Sequence, residues 1–227
     1  DMLLGAQIKI VDSASSVIFD EQLGEPTIMF SSRLEGLWWL PTHDSQVRIA
    51  VSNTTESIQV ASIVVEGLEP KQQRPKEMVF QPHQTVLIDP AGDLTDGPVV
   101  IQESGGISIS HSGTPGSLIA RAMIQNPLTG FSSAVPFADP GKAKSSKLHG
   151  AGLRLGEIAG EELTPVVVAR NISDRMAVVH GRIRYTKRNR GAGVTQLRGV
   201  TLRPGEVKAW DINEISRSQG AGVESAG

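Results

Sequence analysis

Apolar and polar residues alternate one by one through much of the chain. In "QVRIAVSN", Val47, Ile49 and Val51 share one parity while Gln46, Arg48 and Ser52 take the other, the two-residue period of a strand with one buried face. Ala61, Ile63 and Val65 continue it. Further along, Val179, Gly181, Ile183 and Tyr185 alternate with Arg182 and Arg184, and Ile107 and Ile109 alternate with serines in "GGISISHS". Turn chemistry interrupts these stretches at "TPG", "NPLTG", "ADPG" and "RPGE", where Gly, Pro and Asn supply the bends. Beyond one helical turn at "DINEIS", no segment sustains a three-to-four period with caps. The pattern predicts short antiparallel strands joined by turns, about seven to a unit, which is the make-up of a β-sandwich of roughly 100 residues.

The pattern also repeats. "SSRLEG" from Ser31 returns as "SSKLHG" from Ser145, an offset of 114, and "IAVSNTTESIQVASIVVEG" from Ile49 matches "VVARNISDRMAVVHGRIRY" from Val167, an offset of 118 that pairs Asn53 with Asn171. "VFQPHQTVLID" from Val79 matches "TLRPGEVKAWD" from Thr201, so that Pro82 meets Pro204 and Asp89 meets Asp211. Upstream, "MLLGAQIKIVDSASS" from Met2 parallels "SLIARAMIQNPLTG" from Ser117. Four matches in one order imply two copies of a domain-sized unit. The expectation is an all-β chain of two tandem immunoglobulin-like antiparallel β-sandwich domains related by the repeat. Copy 1 takes residues 1–103, copy 2 residues 104–216, and 217–227 form a flexible tail. Copy 2 grows by the insertion "TKRNRGAGVTQLRG", and "GGISISHSG" opens it with no counterpart in copy 1. Copy 1 is thus expected to begin one strand late, leaving "GGISISHS" as an exposed edge through which the chain pairs with a second copy.

Composition narrows the chemistry. A formal net charge of -2 provides no global field for nucleic acid or an anionic membrane. The absence of cysteine excludes disulfides, thiolate metal sites and thiol catalysis. Apolar runs such as Pro165 to Ala169 are too short to span a bilayer. No Gly-x-Ser-x-Gly elbow, phosphate-cradling glycine loop or Ser-x-x-Lys occurs, so no enzymatic signature is present and no cofactor is implied.

In rhythm, with "VSNTT" or "ARNIS" closing one strand and "LRPGEVKAWDI" forming the last hairpin, the chain resembles bacterial immunoglobulin-like modules of the cell-adhesion-related kind. That resemblance implies a secreted, periplasmic or cell-surface module that contacts a protein or polysaccharide surface and performs no catalysis.

Few residues stand out as candidates for contact. Trp38 and Trp39 are two of three tryptophans. Adjacent strand residues point to opposite faces, so one belongs in the core, and the other is either covered or a ring on which a sugar stacks, the alternative being a carbohydrate-binding module accessory to an enzyme. Trp210, where copy 1 has Ile88, reads as core or interface. Arg182, Arg184, Lys187, Arg188 and Arg190, with Arg198 beyond, cluster on one hairpin that could meet an anionic partner, although with no interleaved aromatic apart from Tyr185 they do not suit nucleic acid. Asp89, Asp93 and Asp96 share one loop but lack the spacing of a calcium hand. None of the five histidines pairs at metal-ligand spacing. The sequons at Asn53 and Asn171 fall at the same repeat position, which favours a turn role over glycosylation.

Overall fold

The computed structural model describes residues 6–11, 17–23, 29–69, 74–142, 156–158, 161–163, 165–187, 191–196, 198–212 and 214. They are built of strands, and every pairing between named strands is antiparallel. The chain divides into two compact units, Asp1–Ala143 and Lys144–Gly227.

The first unit holds β1 (Ala6–Val11), β2 (Val17–Leu23), β3 (Arg33–Trp39), β4 (Gln46–Asn53), β5 (Gln59–Glu69), β6 (Lys76–Phe80), β7 (Thr85–Ile88), β8 (Val100–His111), β9 (Leu118–Asn126) and β10 (Phe131–Pro136). Two four-stranded sheets form, in the orders β3-β8-β5-β6 and β10-β9-β4-β7, and β1 pairs with β2 in a hairpin. The alternation read from the sequence sets which residues face inward: Val47, Ile49 and Val51 of β4, Ala61, Ile63 and Val65 of β5, Ile107 and Ile109 of β8, and Ala120, Ala122 and Ile124 of β9 are all buried in one core. Both sheets contribute to that core, which is the construction of a sandwich. At an order of 25 cal/mol per Å² of apolar surface, each fully buried Leu, Ile or Phe adds about 1.5–3 kcal/mol against chain entropy.

β8 corrects two expectations. "GGISISH" does not open the second unit and is not an edge; it is hydrogen-bonded to β3 on one side and β5 on the other. The boundary expected between residues 103 and 104 therefore falls inside a continuous strand, and the first unit extends to Ala143. The physical reason is burial. Ile107 and Ile109 alternate with serines, but the long apolar faces of β3 and β5 need a strand between them, and β8 supplies it while β9 completes the opposite sheet.

The second unit holds β11 (Gly156–Ile158), β12 (Glu161–Leu163), β13 (Val166–Arg170), β14 (Ala177–Val179), β15 (Arg182–Lys187), β16 (Gly191–Gln196), β17 (Val200–Leu202) and β18 (Val207–Asp211). They pair as β11-β12, β13-β18, β14-β17 and β15-β16. Among the described residues of this unit, the buried apolar side chains are Leu202 and Ile212.

One corner is built twice. Asn53, 2% exposed, donates from Nδ2 to the carbonyls of Ser57 (2.7 Å), Phe80 (3.2 Å) and Gln81 (3.0 Å), while its Oδ1 accepts from the N–H (3.0 Å) and hydroxyl (2.9 Å) of Thr55. Asn171, 6% exposed, donates to the carbonyls of Arg175 (2.7 Å) and Leu202 (3.0 Å) and accepts from the N–H (3.1 Å) and hydroxyl (2.7 Å) of Ser173. The facing turn recurs as well. Gln84 and Glu206 each fold back so that the side chain accepts from the N–H three residues earlier, at Gln81 and Arg203. The third turn residue is left-handed in both, His83 at φ 53° and Gly205 at φ 78°. An amide that donates and accepts at one point satisfies backbone groups that neither sheet reaches. This is what the sequon positions do.

Candidate functional site

The tryptophan pair ends β3 opposite Ser104 and Gly105. Trp38 is fully buried, and its indole N–H donates to the carbonyl of Gln102 at 3.4 Å. Two glycines make room for the ring. A Cβ on Gly105 would lie 2.2 Å from Trp38 Cζ2, and one on Gly67 would lie 3.3 Å from the same atom. Gly67, at φ 93°, sits where the register of β5 slips between Glu66 and Leu68, a bulge that bends the strand around the indole. Trp38 thus presents no face to a ligand, which corrects its place in the candidate platform: the core has taken it. Trp39 points to the opposite face and is half-buried.

Of the basic cluster, Arg182 and Arg184 are exposed on one face of β15, across from Gln196 and Val194 on β16. They stand two residues apart, about 6–7 Å along the strand, and form no ion pair with another described residue. Lys187 is the last residue of β15; Arg188 and Arg190 lie outside the described residues. Two exposed guanidinium groups on one face of a ribbon suit a carboxylate or sulfate more than a base.

A feature the sequence reading passed over is apolar. Val60 and Val79 face each other across β5 and β6 on the side away from the core, 41% and 55% exposed, and Ile58 beside them is 57% exposed. At the offset of 118 stand Met176 and Val178, 69% and 61% exposed. Single exposed aliphatics are ordinary, but a contiguous group found again at the same repeat position points to a contact face. The signal was in the parity: in "SIQVASIVV" an aliphatic occupies positions where the strand's outward face calls for polar residues.

The polar clusters are occupied by structural tasks. Asp139 accepts from the backbone N–H groups of Phe30, Ser31 (3.3 Å) and Gly141 (2.7 Å) and from the Ser31 hydroxyl (2.5 Å). Burial pushes its carboxyl pKa up, and these hydrogen bonds outweigh that and hold it below the usual carboxylate range. In the same motif Glu35, 2% exposed, accepts from Arg33 Nε and from the Ser108 hydroxyl (2.8 Å), and the ring of Phe137 packs where Gly36 has no Cβ. "SSRLEG" is therefore a latch onto "FADPG".

The three loop aspartates do not converge. Asp89 pairs with Arg48, Asp93 accepts from the Asp89 N–H at 2.7 Å, and Asp96 pairs with Lys76 at 2.9 Å. Among the described residues no group of three or more His, Cys, Asp or Glu is placed to hold a metal ion. Nor is any helix there long and apolar enough to cross a membrane. His111, 7% exposed, has neither ring nitrogen hydrogen-bonded, and burial lowers its pKa, which keeps the imidazole neutral.

No family model matches this sequence, and neither a curated protein nor a solved structure matches it.

Proposed function

We propose that the chain is a non-catalytic interaction and spacer module: tandem immunoglobulin-like sandwiches, acting outside the cytoplasm, that hold a contact face at a repeated spacing. The observation that carries this reading is the exposed aliphatic group at Ile58 and Val60 and its recurrence at Met176 and Val178, beside an asparagine corner with corresponding hydrogen bonds in both units. A repeated contact face binds through multivalency rather than through one deep site. Adhesion and an extracytoplasmic location rest on the resemblance of the strand and turn motifs to bacterial adhesion modules. The carboxylates and amides described above serve turns and latches, which supports a non-catalytic role.

Trp39 supports the second reading, carbohydrate binding, because it is the half-buried member of the pair. The two readings separate in one experiment. The chain is passed over immobilised neutral and acidic polysaccharides and over immobilised chain, in wild-type form and as Val60→Lys with Val178→Lys, Trp39→Ala, and Arg182→Glu with Arg184→Glu. The spacer reading expects protein contact that the lysine variant abolishes and no response to any polysaccharide. Retention on a polysaccharide that Trp39→Ala removes transfers the function to carbohydrate binding. Retention on acidic chains alone, lost in the glutamate variant, assigns it to the β15 ribbon.

A further inference from the structure

β4 is bonded on both sides, to β7 and to β9. β13 takes the same place relative to its asparagine corner, yet among the described residues it is bonded only to β18. The offset of 118 carries Ile49 onto Val167; Ile49 is fully buried and Val167 is 37% exposed. Among the described residues, Val166, Val167 and Val168 of β13 face no strand on the side away from β18.

A donor of the right type lies elsewhere in the chain. The offset of 114 that matches Ser31 with Ser145 also maps the β9-β10 register from Arg121 to Ile124 onto β1-β2 from Gln7 to Ile10, up to the register shift at Val11. Arg121 opposite Pro136 becomes Gln7 opposite Gln22, and Met123 opposite Ala134 becomes Lys9 opposite Asp20. The buried set Ala120, Ala122 and Ile124 corresponds to Ala6, Ile8 and Ile10. An acid and a proline follow each hairpin at the same offset, Asp139-Pro140 and Glu25-Pro26. Among the described residues β1 and β2 pair only with each other.

We propose that the β1-β2 hairpin of one copy adds alongside Val166, Val167 and Val168 of β13 in a second copy, on the side away from β18 and in the register that β9 adopts on β4, and so links copies head to tail. This rests on the repeat reading above. Carrying the pairs Ala50 with Arg121, Ile49 with Ala122 and Arg48 with Met123 across by the two offsets places Gln7 opposite Val168, Ile8 opposite Val167 and Lys9 opposite Val166. Strand addition satisfies the open N–H and C=O groups of the edge and covers Val167. Because donor and acceptor are different surfaces, the contact is heterologous and does not close on itself, so it extends into chains of molecules.

The lack of cysteine makes the test clean. Full-length Gln7→Cys is mixed with Val168→Cys and oxidised, with Lys9→Cys and Val166→Cys as an independent second pair. Gln7→Cys with Val166→Cys, displaced by two residues, is the control that lies out of disulfide reach. The proposal expects cross-linked dimers from both matched pairs at least tenfold in excess of the displaced pair, and a light-scattering mass that rises with concentration. Equal yields from matched and displaced pairs, or a constant monomer mass with no cross-link, overturns it. So does a monomeric internal disulfide in the Gln7→Cys, Val168→Cys double variant, which would mean that each chain caps its own edge. Failure of the repeat reading shows separately, as an Asn171→Ala variant with unchanged stability of the second unit.

Discussion

The two units carry the same corner and differ in what surrounds it. In the first, Asn53 sits at the meeting of strands that are each paired on the sides their sheets require, and nineteen buried apolar residues form one core around Trp38. In the second, Asn171 makes the corresponding bonds, but β13, β14 and β15 each have one described partner, and the buried apolar residues described there are Leu202 and Ile212. The difference teaches that the corner is a local device. A side-chain amide, a Thr or Ser two residues on, and one facing turn with a left-handed residue assemble it, whereas a core needs central strands such as β8 and β9, each bonded into a four-stranded sheet.

The largest effect that would sharpen this contrast is at Trp38. Trp38→Ala leaves a cavity bounded by the backbone of Gly67 and Gly105, which cannot collapse into it. It is expected to destabilise the first unit by about 3–5 kcal/mol, read by denaturant unfolding, with Trp210 reporting an unchanged transition of the second unit. Equal losses in both units would mean that they unfold as one body and would break the comparison.

Next in size are the two asparagines. Asn53→Ala leaves three carbonyls without the amide and is expected to cost about 1–3 kcal/mol; Asn171→Ala is expected to cost less, since two carbonyls lose their donor. Hydrogen exchange of Thr55 and Ser173 N–H groups, each bonded to the asparagine Oδ1, should accelerate in the corresponding variant and not in the other.

The acid response should belong to the first unit. His111 is held neutral by burial, so its folded pKa lies below the unfolded value of about 6.5. The unfolded chain therefore binds the proton first, and stability is intact above about pH 6.5 and declines as pH falls below it. His111→Leu should flatten that decline. Asp139, whose folded pKa is also depressed, adds a second loss at lower pH: its contribution is present above the unfolded carboxylate value of about 3.9 and disappears as pH falls through the folded value. Asp139→Asn should remove that lower step alone, as measured by midpoint denaturant concentration against pH.

The smallest effect concerns the turn. His83 adopts the left-handed conformation that Gly205 adopts in the second unit, and His83→Gly is expected to stabilise the first unit by up to about 1 kcal/mol, the relief of Cβ strain outweighing the added freedom of glycine. A loss of stability instead would show that the contact of His83 with Glu56, 2.9 Å away, outweighs the strain.

Much of the fold was legible in the chain. The buried apolar residues of β4, β5, β8 and β9 follow the parity of Val47, Ile63, Ile107 and Ala122, except that Leu68 of β5 changes parity after the bulge at Gly67. The burial of one member of the tryptophan pair follows from adjacency, but which member did not, because it depends on Gly67 and Gly105, far off in sequence, providing space on one side only. The aliphatic group at Val60 and Val79 was readable as a break in parity. That Arg182 and Arg184 share a face was readable from their alternation with Ile183 and Tyr185, whereas the strand that faces them, β16, was not.

What the sequence determined by itself is local: strand periodicity, turn positions, and the asparagine corner whose partners lie mostly within a few residues or in one facing turn. What only the tertiary structure decided is allegiance. "GGISISH" carries the same alternation whether it lies at an edge or in the middle of a sheet, and "ARAMIQ" the same whether it joins β4 or β13. A strand's pattern specifies a buried face and leaves its neighbours open, because backbone hydrogen bonds are the same for every residue. The choice of partner was made by the apolar faces of β3, β5 and β4 that β8 and β9 together enclose.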